Sequence, residues 1–343
     1  MKVNQFPDRL IELNNKEYLY FGGTAYLGMP TNPEFQQLVI KNILRWGSAY
    51  GSSRSANIQL TAYERGESFL AKYIQSEATV TVSSGMLAAK LVIEELIPQT
   101  DMFFHFPNIH AALKTANSLP VFIGNEINPR LLDNTYERIT LLTDAVPSFH
   151  IKAIDLSVIN LITSNKEITL VLDESHSLGI LGNNGCGIFS TIQHKNIKRK
   201  IMVASLGKAM GVSGGVIASD HSFIHQMMMN DSFISSACMN PALAEAMSEA
   251  EEIYKKQHLK LKDNLNHVSS LLANNELLDF NADYPVINPE IDGINEKLLS
   301  NKIILTNFKY TAGAKDLNRI TFTANHQQED LNKLISVLNQ YQF

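Results

Sequence analysis

The amino-acid sequence predicts an α/β fold: a mostly parallel central sheet with helices on both faces, followed by a smaller C-terminal α+β domain. Short β-rich runs alternate with helical patterns through the middle of the chain, which is typical of a parallel sheet covered by helices. The strand-like runs are continuously apolar, as expected for strands that are buried on both faces. A chain of 343 residues is long enough for such a domain and a second, smaller one.

The predicted elements follow in chain order. The strands of the central sheet are predicted at Ala78–Val82, Met102–His105, Pro120–Ile123, Ile139–Thr143, Ile168–Leu172 and Lys200–Ala204. Helical patterns cover Glu64–Ile74, Met86–Leu96, His221–Met229 and Pro241–Leu272, the last predicting one long helix that leads out of the sheet domain. The C-terminal domain is predicted from strands at Asp283–Ile287, Ile303–Thr306 and Arg319–Thr323 and a closing helix at Gln328–Tyr341. We expect an N-terminal segment (1–35), a large domain (36–255) and a small C-terminal domain (256–343).

Composition narrows the class of protein. The net charge is −5 and no block of like charges occurs, so we expect neither nucleic acid nor an anionic membrane as a partner. The two cysteines, Cys186 and Cys238, lack metal-ligand spacing, and no metal site is predicted. The N-terminus lacks the apolar core of a signal peptide, and no apolar run approaches the roughly 18–20 residues that span a bilayer. The predicted localisation is cytoplasmic.

Three predicted strands end in polar or glycine-rich segments. Ligands of open parallel sheets bind beyond the carboxyl ends of the strands. The first such segment, SSGM (83–86), opens a helix, where free N–H groups and the helix dipole favour an anion. The second, DESH (173–176), and the third, SLGK (205–208), add an acid, a histidine and a lysine.

Each of these residues alone has an ordinary structural interpretation. Lys208 fits a solvated loop lysine, Asp173 a helix cap or buried ion pair, and His176 a structural histidine. Together they supply the parts that hold pyridoxal phosphate: a lysine for the Schiff base, an acid for the pyridine nitrogen and a helix start for the phosphate. The combination predicts pyridoxal 5'-phosphate as the cofactor.

The motifs around these residues resemble a known family. LDESHSLGILG, SLGKAMG, SSGMLAA and IHAAL follow the order found in pyridoxal-phosphate enzymes of aminotransferase fold type I. Within that fold type the chain is most similar to the α-oxoamine synthases, such as 8-amino-7-oxononanoate synthase and 2-amino-3-ketobutyrate CoA ligase. The resemblance extends from about Gly22 to the C-terminus.

The resemblance implies a role for each matching residue. Asp173 would pair with the ring nitrogen, His176 would bond the ring oxygen, and Lys208 would form the Schiff base. His110 would stack on the cofactor ring. The remaining residues implied in cofactor binding are Ser84, Gly85, Met86, Ser148, Ser205 and Ser236, the last contributed by the partner subunit of a homodimer. Arg319 would bind the carboxylate of the amino-acid substrate, as a guanidinium does well.

Several positions depart from the family pattern. Thr24 replaces an asparagine near the substrate, and Ile58 and Tyr63 lie where the family has a glycine and a histidine. Phe308 stands where many members have an arginine. The cofactor set is therefore nearly complete, whereas the substrate set, Thr24 included, is altered.

The implied activity is a decarboxylative condensation of an amino acid with an acyl-CoA. Lys208 would act as the general base, and His110 and His176 would orient the ring and the thioester. Transamination or aldol-type cleavage on the same fold is the alternative that the altered substrate positions leave open. A non-catalytic regulatory subunit is a more remote alternative, because such a subunit need not retain Lys208.

Overall fold

The computed structural model of the chain describes all residues except 148–149, 273–277, 290, 309–316 and 342–343. Its strands are β1 (Leu10–Leu13), β2 (Lys16–Phe21), β3 (Ala78–Val82), β4 (Met102–His105), β5 (Leu119–Pro120), β6 (Phe122–Ile123), β7 (Glu126–Ile127), β8 (Glu137–Asp144), β9 (Lys166–Asp173), β10 (Ile197–Ser205), β11 (Gly215–Ser219), β12 (Val286–Ile287), β13 (Ile303–Phe308) and β14 (Leu317–Thr321). Its α-helices are α1 (Pro33–Trp46), α2 (Thr61–Ile74), α3 (Gly85–Leu96), α4 (His221–Met228), α5 (Asp231–Ser235), α6 (Pro241–Ser248), α7 (Glu251–Leu272), α8 (Ile294–Ser300) and α9 (Gln328–Leu338).

The central sheet is mostly parallel, as predicted. Among the described residues it has seven strands in the order β3-β11-β10-β9-β8-β4-β5. The pairs β10–β9, β9–β8, β8–β4 and β4–β5 are parallel, whereas β11 is antiparallel to both of its neighbours. The sequence prediction missed β11, whose run of five buried residues is short and follows a glycine-rich turn.

Two predicted elements are divided in the structure. The predicted strand Pro120–Ile123 is two strands, because β5 continues the sheet beside β4 while β6 turns back at Gly124 (φ 63°) and pairs with β7. The predicted long helix Pro241–Leu272 is the pair α6 and α7. The Ser248 hydroxyl donates to the Glu245 carbonyl, and the Ala250 amide bonds the Met247 carbonyl. These i−3 bonds tighten the last turn of α6 and end it.

The chain divides into two compact units. One comprises residues 37–251 and contains the central sheet. The other comprises residues 1–36 and 252–343 and contains a five-stranded sheet in the order β1-β2-β13-β14-β12. In that sheet β2 runs parallel to β13, so the N-terminal hairpin and the C-terminal strands form one layer. The closing helix, predicted to Tyr341, is α9 followed by a 3-10 turn at Asn339–Tyr341.

The core of the 37–251 unit positions the strand ends. Its members include Val80 and Val82 of β3, Leu141 of β8, Val171 of β9 and Val203 of β10, all at most 2 % exposed. Burial on both faces fixes the register of these strands, because a slip of one residue would reverse every side chain. The strand ends are therefore set by apolar packing. In the described part of the chain, no helix has the length and apolarity needed to cross a membrane.

Candidate active site

A cavity of about 310 Å³ opens at the carboxyl ends of the parallel strands. Eight residues predicted for the site line it: Ser84, Gly85, Met86, His110, Asp173, His176, Ser205 and Lys208. The other lining residues are Ala112, Asp144, Val146 and Ser175. Segments that are distant in sequence meet here because they follow β3, β4, β8, β9 and β10 at one edge of the sheet.

The N-terminus of α3 forms one wall of the cavity. Ser84 is the N-cap: its hydroxyl accepts the Leu87 amide at 3.2 Å, and its carbonyl accepts the Ala88 amide at 3.0 Å. The N–H groups of Gly85 and Met86 precede the first intrahelical bond, so they are available to an anion. A side chain at Gly85 would place its Cβ 2.8 Å from the Cα of Ser205, which explains the glycine.

Two acids lie side by side in the lining of the cavity. Asp144 ends β8 and Asp173 ends β9, and the two residues are register partners in the parallel pair. They are 3 % and 8 % exposed. Oδ1 of Asp173 accepts the Ser175 amide at 2.8 Å. Burial and the charge of Asp173 raise the pKa of Asp144 to about 8.

Sequence reasoning missed Asp144. The signal that could have found it is the one that identified Asp173, an acid directly after a buried apolar strand. Asp144 also holds the segment that follows β4: its two carboxylate oxygens accept the His110 amide at 3.0 and 3.2 Å. Nδ1 of His110 accepts the Ala112 amide at 3.2 Å, so the proton of the neutral ring is on Nε2.

The neighbouring acid, Glu174, serves a different purpose. It is fully buried and accepts hydrogen bonds from the Ser177 hydroxyl and from the amides of Ile188 and Phe189. A Cβ at Gly187 would lie within 2.2 Å of its Oε2. Burial raises the pKa of Glu174 to about 7. Glu174 therefore ties down the loop after β9 and does not line the cavity.

The loop that carries Lys208 is fixed from the same side. The Ser205 amide donates to the Ser175 hydroxyl at 2.8 Å, and the Leu206 amide bonds the Gly214 carbonyl at 3.0 Å. The Gly211 amide bonds the carbonyl of Lys208 at 3.2 Å, which closes a turn around the half-buried lysine. The lysine thus lies on a fixed turn in the wall of the cavity.

The remaining predicted residues lie elsewhere. Ser148 falls outside the described residues. Ser236 follows α5 and donates its hydroxyl to the Ser232 carbonyl; it does not line the cavity. Thr24 and Arg319 belong to the unit formed by residues 1–36 and 252–343. Thr24 is half-buried there.

Arg319 has a defined partner within its own unit. Its Nη2 donates to the Tyr26 hydroxyl at 2.7 Å, and Tyr26 is fully buried. Burial raises the pKa of Tyr26, so the phenol remains protonated and acts as the acceptor. The arginine is therefore held in a fixed orientation on β14.

The positions that depart from the family pattern differ in their surroundings. Tyr63 is buried, its hydroxyl donates to the Met239 carbonyl at 2.8 Å, and Arg54 lies 4.3 Å above its ring. Ile58 is 63 % exposed. The side chain of Phe308 falls outside the description. Tyr63 thus has a structural role in the 37–251 unit.

Comparison with known proteins places the chain in a family. The sequence model of aminotransferase class I and II matches residues 152–338, which include Asp173, His176 and Lys208. The chain belongs to the aminotransferase class I and II family. The chain is 26% identical to the 8-amino-7-oxononanoate synthase of Lysinibacillus sphaericus, and the alignment covers 96% of the chain and 90% of that relative. It is 25% identical to the enzyme of the same name from Buchnera aphidicola, across 97% and 91%.

Solved structures share the fold of this chain. A serine palmitoyltransferase from Sphingomonas wittichii superposes with a TM-score of 0.82 at 17% identity, covering 97% of this chain and 89% of that one. An 8-amino-7-oxononanoate synthase from Francisella tularensis superposes with a TM-score of 0.72 at 21% identity, covering 94% and 97%. The predicted resemblance to the α-oxoamine synthases and the predicted fold are confirmed.

The residues present fit the cofactor of this family, pyridoxal phosphate. One solved serine palmitoyltransferase that contains it has a TM-score of 0.83 at 17% identity, and the superposition covers 99% of this chain and 91% of that one. In the present cavity the donor set matches the chemistry of that group: a helix N-terminus for a phosphate, a buried acid for a pyridine nitrogen and a lysine for an aldehyde.

Proposed function

We propose that the protein is a pyridoxal-phosphate-dependent acyltransferase that condenses an amino acid with an acyl-CoA and releases carbon dioxide. The observation that carries the proposal is the single cavity lined by Lys208, Asp173, His110 and the N-terminus of α3. The near-full-length similarity to 8-amino-7-oxononanoate synthases supports this reaction class.

The bound cofactor supplies an electron sink that stabilises a carbanion at the α-carbon of the amino acid. Asp173, fixed by the Ser175 amide, holds a negative charge for the pyridine nitrogen. The amides of Gly85 and Met86 bind the phosphate. Ser84 supports them as the helix cap, and Ser205 packs against Gly85 at the same wall.

The proton transfers belong to Lys208. With pyridoxal phosphate bound, its amine would be the general base that removes the α-proton of the amino acid and would later return a proton to the product. The bond from the Ala112 amide fixes the tautomer of the His110 ring, which would stack on the bound cofactor, and His176, which lines the same cavity, would hydrogen-bond the ring oxygen. Arg319, oriented by Tyr26, binds the carboxylate of the amino acid.

Thr24, Ser148 and Ser236 complete the proposed set, Thr24 toward the substrate and the two serines toward the cofactor. We propose that the enzyme is a homodimer in which Ser236 serves the site of the partner subunit. We also propose that it acts in the cytoplasm, where acyl-CoA and reduced thiols are available. Of the four departures, those at Thr24, Ile58 and Phe308 concern the choice of amino acid and acyl chain, whereas Tyr63 has the structural role described above.

The cofactor is tested by the visible absorption of the purified protein. We expect a visible band after incubation with pyridoxal phosphate, its loss in Lys208→Ala and its retention in the matched variant Lys90→Ala, an exposed lysine on α3. A wild-type protein that develops no visible band would contradict the cofactor assignment.

The reaction is tested by release of free CoA. Each amino acid is incubated with a series of acyl-CoA thioesters, and the free thiol and carbon dioxide are measured together. We expect one amino acid to release both in equal amounts in the wild type and neither in Lys208→Ala. If no thioester releases CoA and a keto acid instead accepts an amino group, the protein is an aminotransferase.

A further inference from the structure

We propose that Asp144 is a positioning residue of the cofactor site: with Asp173 it forms a facing pair of carboxyl groups that shares one proton, and it holds the main chain of His110 at the cavity. The proposal rests on the proposed function only where it concerns the cofactor. The shared proton and the contact with His110 are properties of the protein itself.

The pairing follows from the sheet. Asp144 and Asp173 are register partners on adjacent parallel strands, and such strands lie about 4.8 Å apart with the partners' side chains on the same face. Both side chains line the same cavity and are nearly inaccessible, at 3 % and 8 % exposed. Two full negative charges at this separation and burial repel each other strongly, so one proton is retained between them.

The surroundings decide which acid keeps the proton. Oδ1 of Asp173 accepts the Ser175 amide at 2.8 Å, a bond that favours the ionised form. Asp144 faces Asp173 on β9, Lys208 after β10 and the His110 amide after β4. Burial and Asp173 raise its pKa to about 8, although the His110 amide and Lys208 oppose the shift. Asp144 is therefore mainly protonated at neutral pH. His176 lines the same cavity.

The contact with His110 gives Asp144 its positioning role. Both carboxyl oxygens lie within hydrogen-bond distance of the His110 amide, at 3.0 and 3.2 Å. Asp144 ties this amide to the end of β8, whereas the bonds from the Ala112 amide to Nδ1 of His110 and from the Leu113 amide to the His110 carbonyl lie within the segment itself. Without Asp144 the half-buried amide of His110 loses its acceptor on β8, and the segment that carries the ring loses this attachment.

The shared proton is tested first, on the full chain without cofactor. Carbon-13 signals of the aspartate carboxyl groups are followed against pH in protein labelled at aspartate. We expect one signal to titrate near pH 8, to vanish in Asp144→Asn and to move to lower pH in Asp173→Asn, where the neighbouring charge is gone. If every aspartate signal titrates below about pH 5, in the ordinary range for this residue, the pair does not share a proton and the proposal is wrong.

The positioning role is tested by cofactor binding. Asparagine keeps an acceptor oxygen and imitates the neutral acid, whereas alanine removes the acceptor. We expect Asp144→Asn to bind pyridoxal phosphate within about threefold of wild type at pH 7 and to lose the change in the circular dichroism of the cofactor around pH 8. We expect Asp144→Ala to bind about tenfold more weakly, the cost of a lost hydrogen bond. Equal binding by both variants would refute the positioning role. If neither the wild type nor the variants bind the cofactor but the carbon-13 titration is as expected, the proposed function is wrong and the proton shared by Asp144 and Asp173 is still supported.

Discussion

His326 makes the stability of its unit depend on pH. The ring is 4 % exposed and is stacked on Phe21 with a centroid distance of 4.2 Å. Its Nδ1 accepts the Thr323 amide at 2.9 Å and its Nε2 donates to the Tyr20 carbonyl at 3.0 Å. A second proton would have to enter at Nδ1, against the Thr323 N–H. Burial lowers the pKa of His326 to about 4.

The sign and size of the effect follow from that pKa. In the unfolded chain a histidine titrates near 6.5, so between about pH 6.5 and 4 the unfolded state binds more protons than the folded state. The contribution to the free energy of unfolding is complete above pH 6.5 and is lost as pH falls toward 4. A shift of this size corresponds to about 3 kcal/mol.

The assay is urea unfolding at several pH values from 7.5 to 4.5, followed by circular dichroism. We expect wild-type stability to fall through this range by about 3 kcal/mol more than that of His326→Asn, which cannot titrate. The control is His225→Asn, an exposed histidine of α4, which should follow the wild-type curve. If the free energy of unfolding of wild type and of His326→Asn changed with pH in parallel, the reasoning would be refuted, whatever constant difference in stability the substitution causes.

Three further substitutions test the scaffold and the substrate arginine. Ser84→Ala removes the cap of α3 and should lower the free energy of unfolding by about 1 kcal/mol and weaken binding of inorganic phosphate, measured by calorimetry; unchanged phosphate binding would contradict the anion site. Glu67→Ala removes the ion-pair partner of Arg54, whose side chain is 10 % exposed. It should lower the free energy of unfolding in urea by about 3–5 kcal/mol, whereas the loss of an exposed ion pair would lower it by less than about 1 kcal/mol. Tyr26→Phe removes one acceptor of Arg319 and should raise KM for the amino acid severalfold with kcat nearly unchanged; an unaltered KM would show that this bond does not orient the arginine for carboxylate binding.

The part of the fold that the sequence predicts is the part encoded locally. Asp173 and Lys208 stand directly after long apolar runs, so their place at a sheet edge follows from the strands themselves. The sequence analysis did not predict the hairpin of β1 and β2, although its turn at Asn14 and Asn15, both with positive φ, is a local feature. The pairing of β2 with β13, almost three hundred residues later, is set by tertiary packing and has no local signal in the sequence.

The residues of the candidate site also differ in how far the sequence alone predicts them. The lysine, the acid and the helix start carry recognisable motifs. Asp144 becomes informative only when the register places it beside Asp173, and Tyr26 only when folding brings it to Arg319. The break after Ser248 depends on a side-chain bond to the Glu245 carbonyl that no helix propensity encodes.

The antiparallel strand β11 has a consequence for the order of folding. It lies between β3, which leads to the N-terminus of α3, and β10, which leads to Lys208. A nascent chain that ends between Lys208 and Gly215 contains every lining segment of the cavity but not β11, the strand that joins its two sides. The pairing of β11 with β3 joins residues that are far apart in the sequence. Such a pairing forms late because the long loop between the strands must close first. Acquisition of the cavity therefore marks the completion of the central sheet, and cofactor capture during refolding measures the rate of that final step.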